Sequence, residues 1–86
     1  MPTLLFNYSE MSAKVRETLH RAFGSNTTIR TEEGEGGQIY VRIVSDRFDG
    51  LGEREKQDKI WNVLRRDLKE DAQAVSLVLA FGTDQI

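Results

Sequence analysis

The sequence predicts an α+β fold: a three-stranded mixed sheet with helices on one face. Three observations lead there. Two long stretches repeat apolar residues at helical spacing, three shorter ones alternate or run apolar as strands do, and 86 residues leave room for one shared core. The chain therefore reads as a single domain over residues 1–86, with residues 1–8 as either a flexible or an edge segment.

The first helix is expected from Ser9 to Phe23. Met11, Val15, Leu19, Ala22 and Phe23 form its apolar stripe, with Lys14, Arg16, Glu17 and Arg21 between them. Ser9 or Ser12 offers a side-chain oxygen to the free amides of the first turn, and Gly24 suits the left-handed backbone that ends helices. A strand follows over Thr27–Thr31, where β-branched residues dominate, and Glu33-Gly34-Glu35-Gly36-Gly37 breaks it. From Gln38 to Ser45, Ile39, Val41 and Ile43 fall on one face and Tyr40, Arg42 and Val44 on the other, so these two strands are expected to pair antiparallel.

Asp49-Gly50-Leu51-Gly52 reads as a turn, with an extra turn around Arg47 to Asp49. Glu53 to Leu68 carries the strongest helical pattern, burying Ile60, Val63, Leu64 and Leu68. Glu55 stands four residues before Lys59, and Arg66 four before Glu70, spacings that permit ion pairs on the solvated side. Ala74 to Phe81 is a nearly continuous apolar run, which predicts a strand buried on both faces. Laid parallel beside Gln38–Ser45, with the long helix as the crossover, it completes the sheet.

Composition narrows the function. With 38% apolar and 30% charged residues the chain has the balance of a globular domain, and no segment approaches the ~20 apolar residues of a membrane span. The amino terminus has neither the basic start nor the cleavage site of a secretory signal, so a cytoplasmic location is expected. The absence of cysteine removes disulfides, thiolate nucleophiles and cysteine-held metals. The single histidine, His20, reads as a surface residue near the end of the first helix, and neither metal nor cofactor is expected. Asp46, Asp49 and Glu53 are the carboxylates with some prospect of meeting a divalent cation. The simpler reading makes Asp49 a turn residue and Glu53 a complement to the helix dipole. A net charge of -2 gives no overall attraction for polyanions, so nucleic acid would need a local basic patch. No nucleophile–base pair or cofactor fingerprint occurs, which points away from an enzyme.

Val41-Arg42-Ile43-Val44-Ser45-Asp46-Arg47-Phe48-Asp49-Gly50 resembles the second strand and following turn of the BolA family. That family shows an apolar strand, Val-Ser, two variable residues, an aromatic, an acidic residue and glycine. From Gly50 the match runs without a gap into the long helix, with Ile60, Leu64 and Leu68 on the family's apolar positions. The resemblance implies the order α-β-β-α-α-β, similar to the second type of KH domain. It also implies a role in iron-sulfur cluster trafficking with monothiol glutaredoxins, or in transcriptional regulation. Two cluster ligands come with it, a histidine near the start of the long helix and a histidine or cysteine in the loop between the first two strands. Here Lys56-Gln57-Asp58 stands where the family has Arg-His-Arg, and the loop reads Glu33-Gly34-Glu35-Gly36-Gly37, so both are absent. Gln73-Ala74 replaces the usual His-Ala, and Thr83-Asp84 stands where Thr-Pro is common. A glutamine amide is neutral and weakly basic, a poor substitute for imidazole or thiolate.

Two functional expectations result. The first is a non-catalytic BolA-like adaptor or regulatory protein that binds a protein partner, a monothiol glutaredoxin being the one the resemblance implies. It would use Arg54, Lys56, Gln57, Lys59 and Trp61 with the glycine-rich loop. Trp61 is either border packing of the core or a binding anchor, and Tyr40 is open in the same way. The second is a KH-like nucleic-acid-binding or transcription-regulatory domain with a basic edge of Arg47, Arg54, Lys56 and Lys59. KH domains hold the phosphate backbone with Gly-x-x-Gly. Gly50-Leu51-Gly52-Glu53 brings the second glycine one residue early and follows it with an acid.

Overall fold

The computed structural model describes residues 7–24 and 26–86. Its elements are α1 (Tyr8–Phe23), β1 (Thr27–Glu33), β2 (Ile39–Ser45), α2 (Glu53–Leu68) and β3 (Val75–Gly82). Short 3-10 turns lie at Glu35–Gly37, Asp46–Phe48, Lys69–Ala74 and Thr83–Gln85. The sheet is mixed and ordered β1-β2-β3, with β1 antiparallel and β3 parallel to β2. The third helix implied by the resemblance is the 3-10 stretch Lys69–Ala74.

Helix α1 begins one residue earlier than its apolar stripe predicts. Asn7, not Ser9 or Ser12, is the cap, its side-chain oxygen accepting from the Glu10 amide at 3.2 Å. Tyr8 holds this early start by donating its hydroxyl to Thr31 Oγ1 at 3.0 Å, while Ser12 is buried inside the helix. Asn7 and Tyr8 thus form the start of α1, and residues 1–6 of that expectation lie outside the described residues. Gly24 ends α1 at φ 91°, a positive value only glycine adopts easily, although ψ of -177° makes it extended rather than left-handed helical.

Val15, Leu19 and Phe23 of α1 and Ile60 and Leu64 of α2 cover one face of the sheet, meeting Ile39, Val41 and Ile43 of β2 and Val78 and Ala80 of β3. The other face is open. The expectation that Ala74–Phe81 is buried on both sides is overturned, since Leu77 and Leu79 are 44% and 47% exposed. Both helices pack on the same side, and among the described residues nothing lies over these two leucines. Ser76 is an extra residue in β3, because Ile39 pairs with Val75 but Tyr40 with Leu77.

The two anticipated ion pairs on α2 do not form. Glu55 instead accepts from the Gly52 amide at 3.3 Å, closing a free donor at the helix start, and Arg66 pairs with the adjacent Asp67 at 2.9 Å. No helix among the described residues is long and apolar enough to cross a membrane.

Candidate functional site

Helix α2 divides the sequence-predicted site residues among three of its sides. Arg54, Gln57 and Trp61 follow one another at spacings of three and four, so they share the side nearest β3. Lys56 turns inward with Ile60 and Leu64. Lys59 faces the α1 side, where it lines a groove of about 440 Å³ with Arg47, Asn62 and Phe23.

Gln57 is the hub of the first group. Its Nε2 donates to the Val78 carbonyl of β3 at 2.9 Å and to Glu53 Oε2 at 3.1 Å, while its Oε1 accepts from Trp61 Nε1 at 3.1 Å. The amide is fully engaged in holding the chain together. Arg65 lies 5.8 Å over the Trp61 ring, so the indole is half-buried, hydrogen-bonded and covered on one face by a cation. The Glu53 carboxyl is held below the ordinary range, chiefly by the bond from Gln57 and further by Lys56.

Lys56 does not belong on an exposed basic edge. It is 1% exposed, and its ammonium donates to Gln85 Oε1 at 2.7 Å and lies 3.3 Å from Glu53. Every third or fourth residue of α2 from Lys56 onward faces the core, and the lysine stem follows Ile60 and Leu64 inward while its head reaches the chain's last turn.

That last turn forms a polar clasp absent from the sequence reading. Asp49 accepts from the Thr83 amide at 2.5 Å, the Thr83 hydroxyl at 2.6 Å and the Asp84 amide at 3.4 Å. Asp84 in return accepts from the Gly50 amide at 3.1 Å. Gly82 has no room for a side chain there, since a Cβ would sit 2.8 Å from Asp49 Oδ1 and 3.0 Å from the Phe48 carbonyl. The Gly50 amide, at the start of the KH-like glycine pair, is therefore already occupied by the chain's own carboxylate. Asp46 accepts from Asn26, and among the described residues no three His, Asp or Glu side chains gather as a metal-binding group. His20 is exposed.

The clasp predicts an acid dependence. The bond from the Thr83 hydroxyl first, supported by the Thr83 and Asp84 amides, holds the Asp49 carboxyl below its ordinary value against the opposing effect of desolvation. A carboxyl lowered on folding stabilises the native state fully above about pH 4 and loses that contribution as pH falls through the native value. Carbon-13 NMR titration is expected to place Asp49 below an unstructured aspartate. Asp49→Asn is expected to flatten the acid limb of the melting curve. An unshifted Asp49 would remove the clasp as a source of stability.

The glycine-rich loop is not next to the start of α2. Glu33 pairs with Ile39 at one end of the sheet, whereas Ser45 pairs with Gly82 at the other, where α2 begins. The seven residues of β2 separate the two by about 20 Å. Gln73, which replaces the histidine usual before Ala74, lies at the loop's end of the sheet, two residues before the Val75–Ile39 pair, and Gln57 does not.

No family model matches the sequence. No curated relative matches it. The structure is similar to that of BolA1 from Arabidopsis thaliana, with a TM-score of 0.68 over 88% of this chain and 95% of that one, at 15% sequence identity. The fold is BolA-like.

Proposed function

We propose that the protein is a non-catalytic BolA-like adaptor or regulatory protein that binds a protein partner along α2, without the iron-sulfur ligands of the BolA family. The Gln57 network carries this reading. It fixes Trp61 at the surface, so the stripe of Arg54, Gln57, Trp61 and Arg65 offers a partner a rigid aromatic flanked by cations, with little side-chain entropy left to lose. The amide that stands where a ligating histidine is usual has both ends engaged. Lys56 and the glycine-rich loop are no part of this surface.

A second reading, binding of nucleic acid, is favoured by one observation: Arg47 and Lys59 line a common groove over the buried Phe23. Arg54 lies on another side of α2, so the basic edge is smaller than the sequence implies.

One titration distinguishes the two. Nitrogen-15-labelled protein is mixed with a cluster-loaded monothiol glutaredoxin, then separately with single-stranded and duplex oligonucleotides at low salt. Adaptor binding is expected to shift the amides of Arg54, Gln57, Trp61 and Arg65 while the visible absorption and circular dichroism of the cluster stay unchanged. New spectral features of histidine ligation would refute the cluster-free reading. Silence with the glutaredoxin together with salt-sensitive shifts at Arg47 and Lys59 would replace the adaptor by the nucleic-acid reading.

A further inference from the structure

The face of the sheet turned away from the helices plays no part in the site above. Its middle row runs Arg30, Arg42 and Leu79 across the three strands, with Tyr40 and Leu77 on one side and Phe81 on the other. Tyr40, Leu77, Leu79 and Ile86 are the large apolar side chains left exposed among the described residues. All four line two shallow grooves on this face, about 260 and 300 Å³, and Arg30 and Arg42 line both. The apolar run of β3 that sequence alone buries on two sides has one of those sides uncovered.

The arginines define what fits. Arg30 and Arg42 stand directly opposite in the β1–β2 ladder, and like charges so placed repel. Glu32 is the one acid among the outward side chains of the strands, and neither arginine forms an ion pair with it or with any other described residue. Arg42 stacks over Phe81 at 5.3 Å, which orients the guanidinium without neutralising it. A second copy of the chain is a poor occupant, because any twofold axis centred on the face sets Arg42 against the Arg42 of the copy. Three strands span about 10 Å between their outer axes, close to the diameter of one α-helix.

We infer that this face docks an acidic amphipathic helix of a partner protein, its apolar stripe on Tyr40, Leu77 and Leu79 and a carboxylate between Arg30 and Arg42. The surface is distinct from the α2 stripe, so the two sites stand or fall separately. The test titrates labelled protein with a synthetic helical peptide carrying a leucine stripe interrupted by one glutamate, and with its counterpart carrying lysine at that position. The glutamate peptide is expected to shift Arg30, Arg42, Leu77 and Leu79 and to bind roughly tenfold more tightly than the lysine peptide, the worth of one charge-assisted hydrogen bond. The double variant Arg30→Glu with Arg42→Glu is expected to reverse the preference, and Arg42→Gln, a milder change, to abolish it. Equal affinity for the two peptides would overturn the proposal. So would shifts confined to α2, or shifts at Leu77 and Leu79 that follow protein concentration without peptide. Binding to phosphatidylglycerol vesicles through this face with no response to the peptides would also overturn it.

Discussion

Phe48→Ala is expected to lower the unfolding free energy by about 3–5 kcal/mol. Phe48 is 0% exposed although it belongs to a three-residue turn, Asp46–Phe48, between β2 and α2. Its ring meets Phe23 edge-on at 5.0 Å and 60°, which joins the end of α1 to the crossover. Its carbonyl is one of the atoms that crowd Gly82, so the same turn also abuts the end of β3. Removing the ring empties a fully buried site beside Phe23, in a core packed too closely to fill it without moving other contacts. A domain of this kind has about 5–15 kcal/mol in all, so the variant loses much of its margin. Phe48→Leu keeps most of the volume and is expected to cost under about 1.5 kcal/mol. Urea unfolding followed at Trp61, the single tryptophan, checks both. A Phe48→Ala midpoint close to that of the parent protein would show that the turn is not part of the core.

The elements were legible because each rests on a local pattern. The stripe of Ile60 and Leu64 sets α2 at Glu53–Leu68 as expected, and the alternation of Ile39, Val41 and Ile43 sets the inward face of β2. What failed is what local patterns do not encode. The apolar run of β3 says that its side chains are hydrophobic, and only the placement of both helices on one side decides which of them are covered. Asn7 caps α1 because Tyr8 reaches a strand residue 23 positions away. The clasp joins Asp49 and Gly50 to Thr83 and Asp84 across 34 residues, and neither segment announces the other. The site was legible in part for the same reason. Gln57 and Trp61 stood out by type and spacing, and their mutual bond follows from a separation of four. The Val78 carbonyl that completes the network came from the fold.

Lys56 is the position where a surface reading and the structure diverge most, and substitution separates them. If the side chain stood on an exposed edge, Lys56→Glu would behave like Arg54→Glu, an exposed change expected to stay within about 0.5 kcal/mol. In the structure the side chain is 2% exposed and its ammonium faces Gln85 Oε1 and Glu53 Oε1. A carboxylate there would confront two acceptors. Gln85 cannot turn its amide to compensate without losing the bond it accepts from the Gly82 amide at 2.8 Å. Lys56→Glu is therefore expected to cost on the order of 3–5 kcal/mol, the range for an uncompensated buried charge. Lys56→Met keeps the stem beside Ile60 and Leu64 and leaves Gln85 bonded to Gly82 and Glu53 bonded to Gln57. That variant is expected to cost under about 1.5 kcal/mol. The decisive comparison is the midpoint order in urea: Lys56→Met close to the parent, Arg54→Glu equally close, Lys56→Glu far below. Equal midpoints for the two glutamate variants would put Lys56 back on the surface. It would also return Lys56 to the exposed basic residues that the sequence, taken alone, offers to nucleic acid.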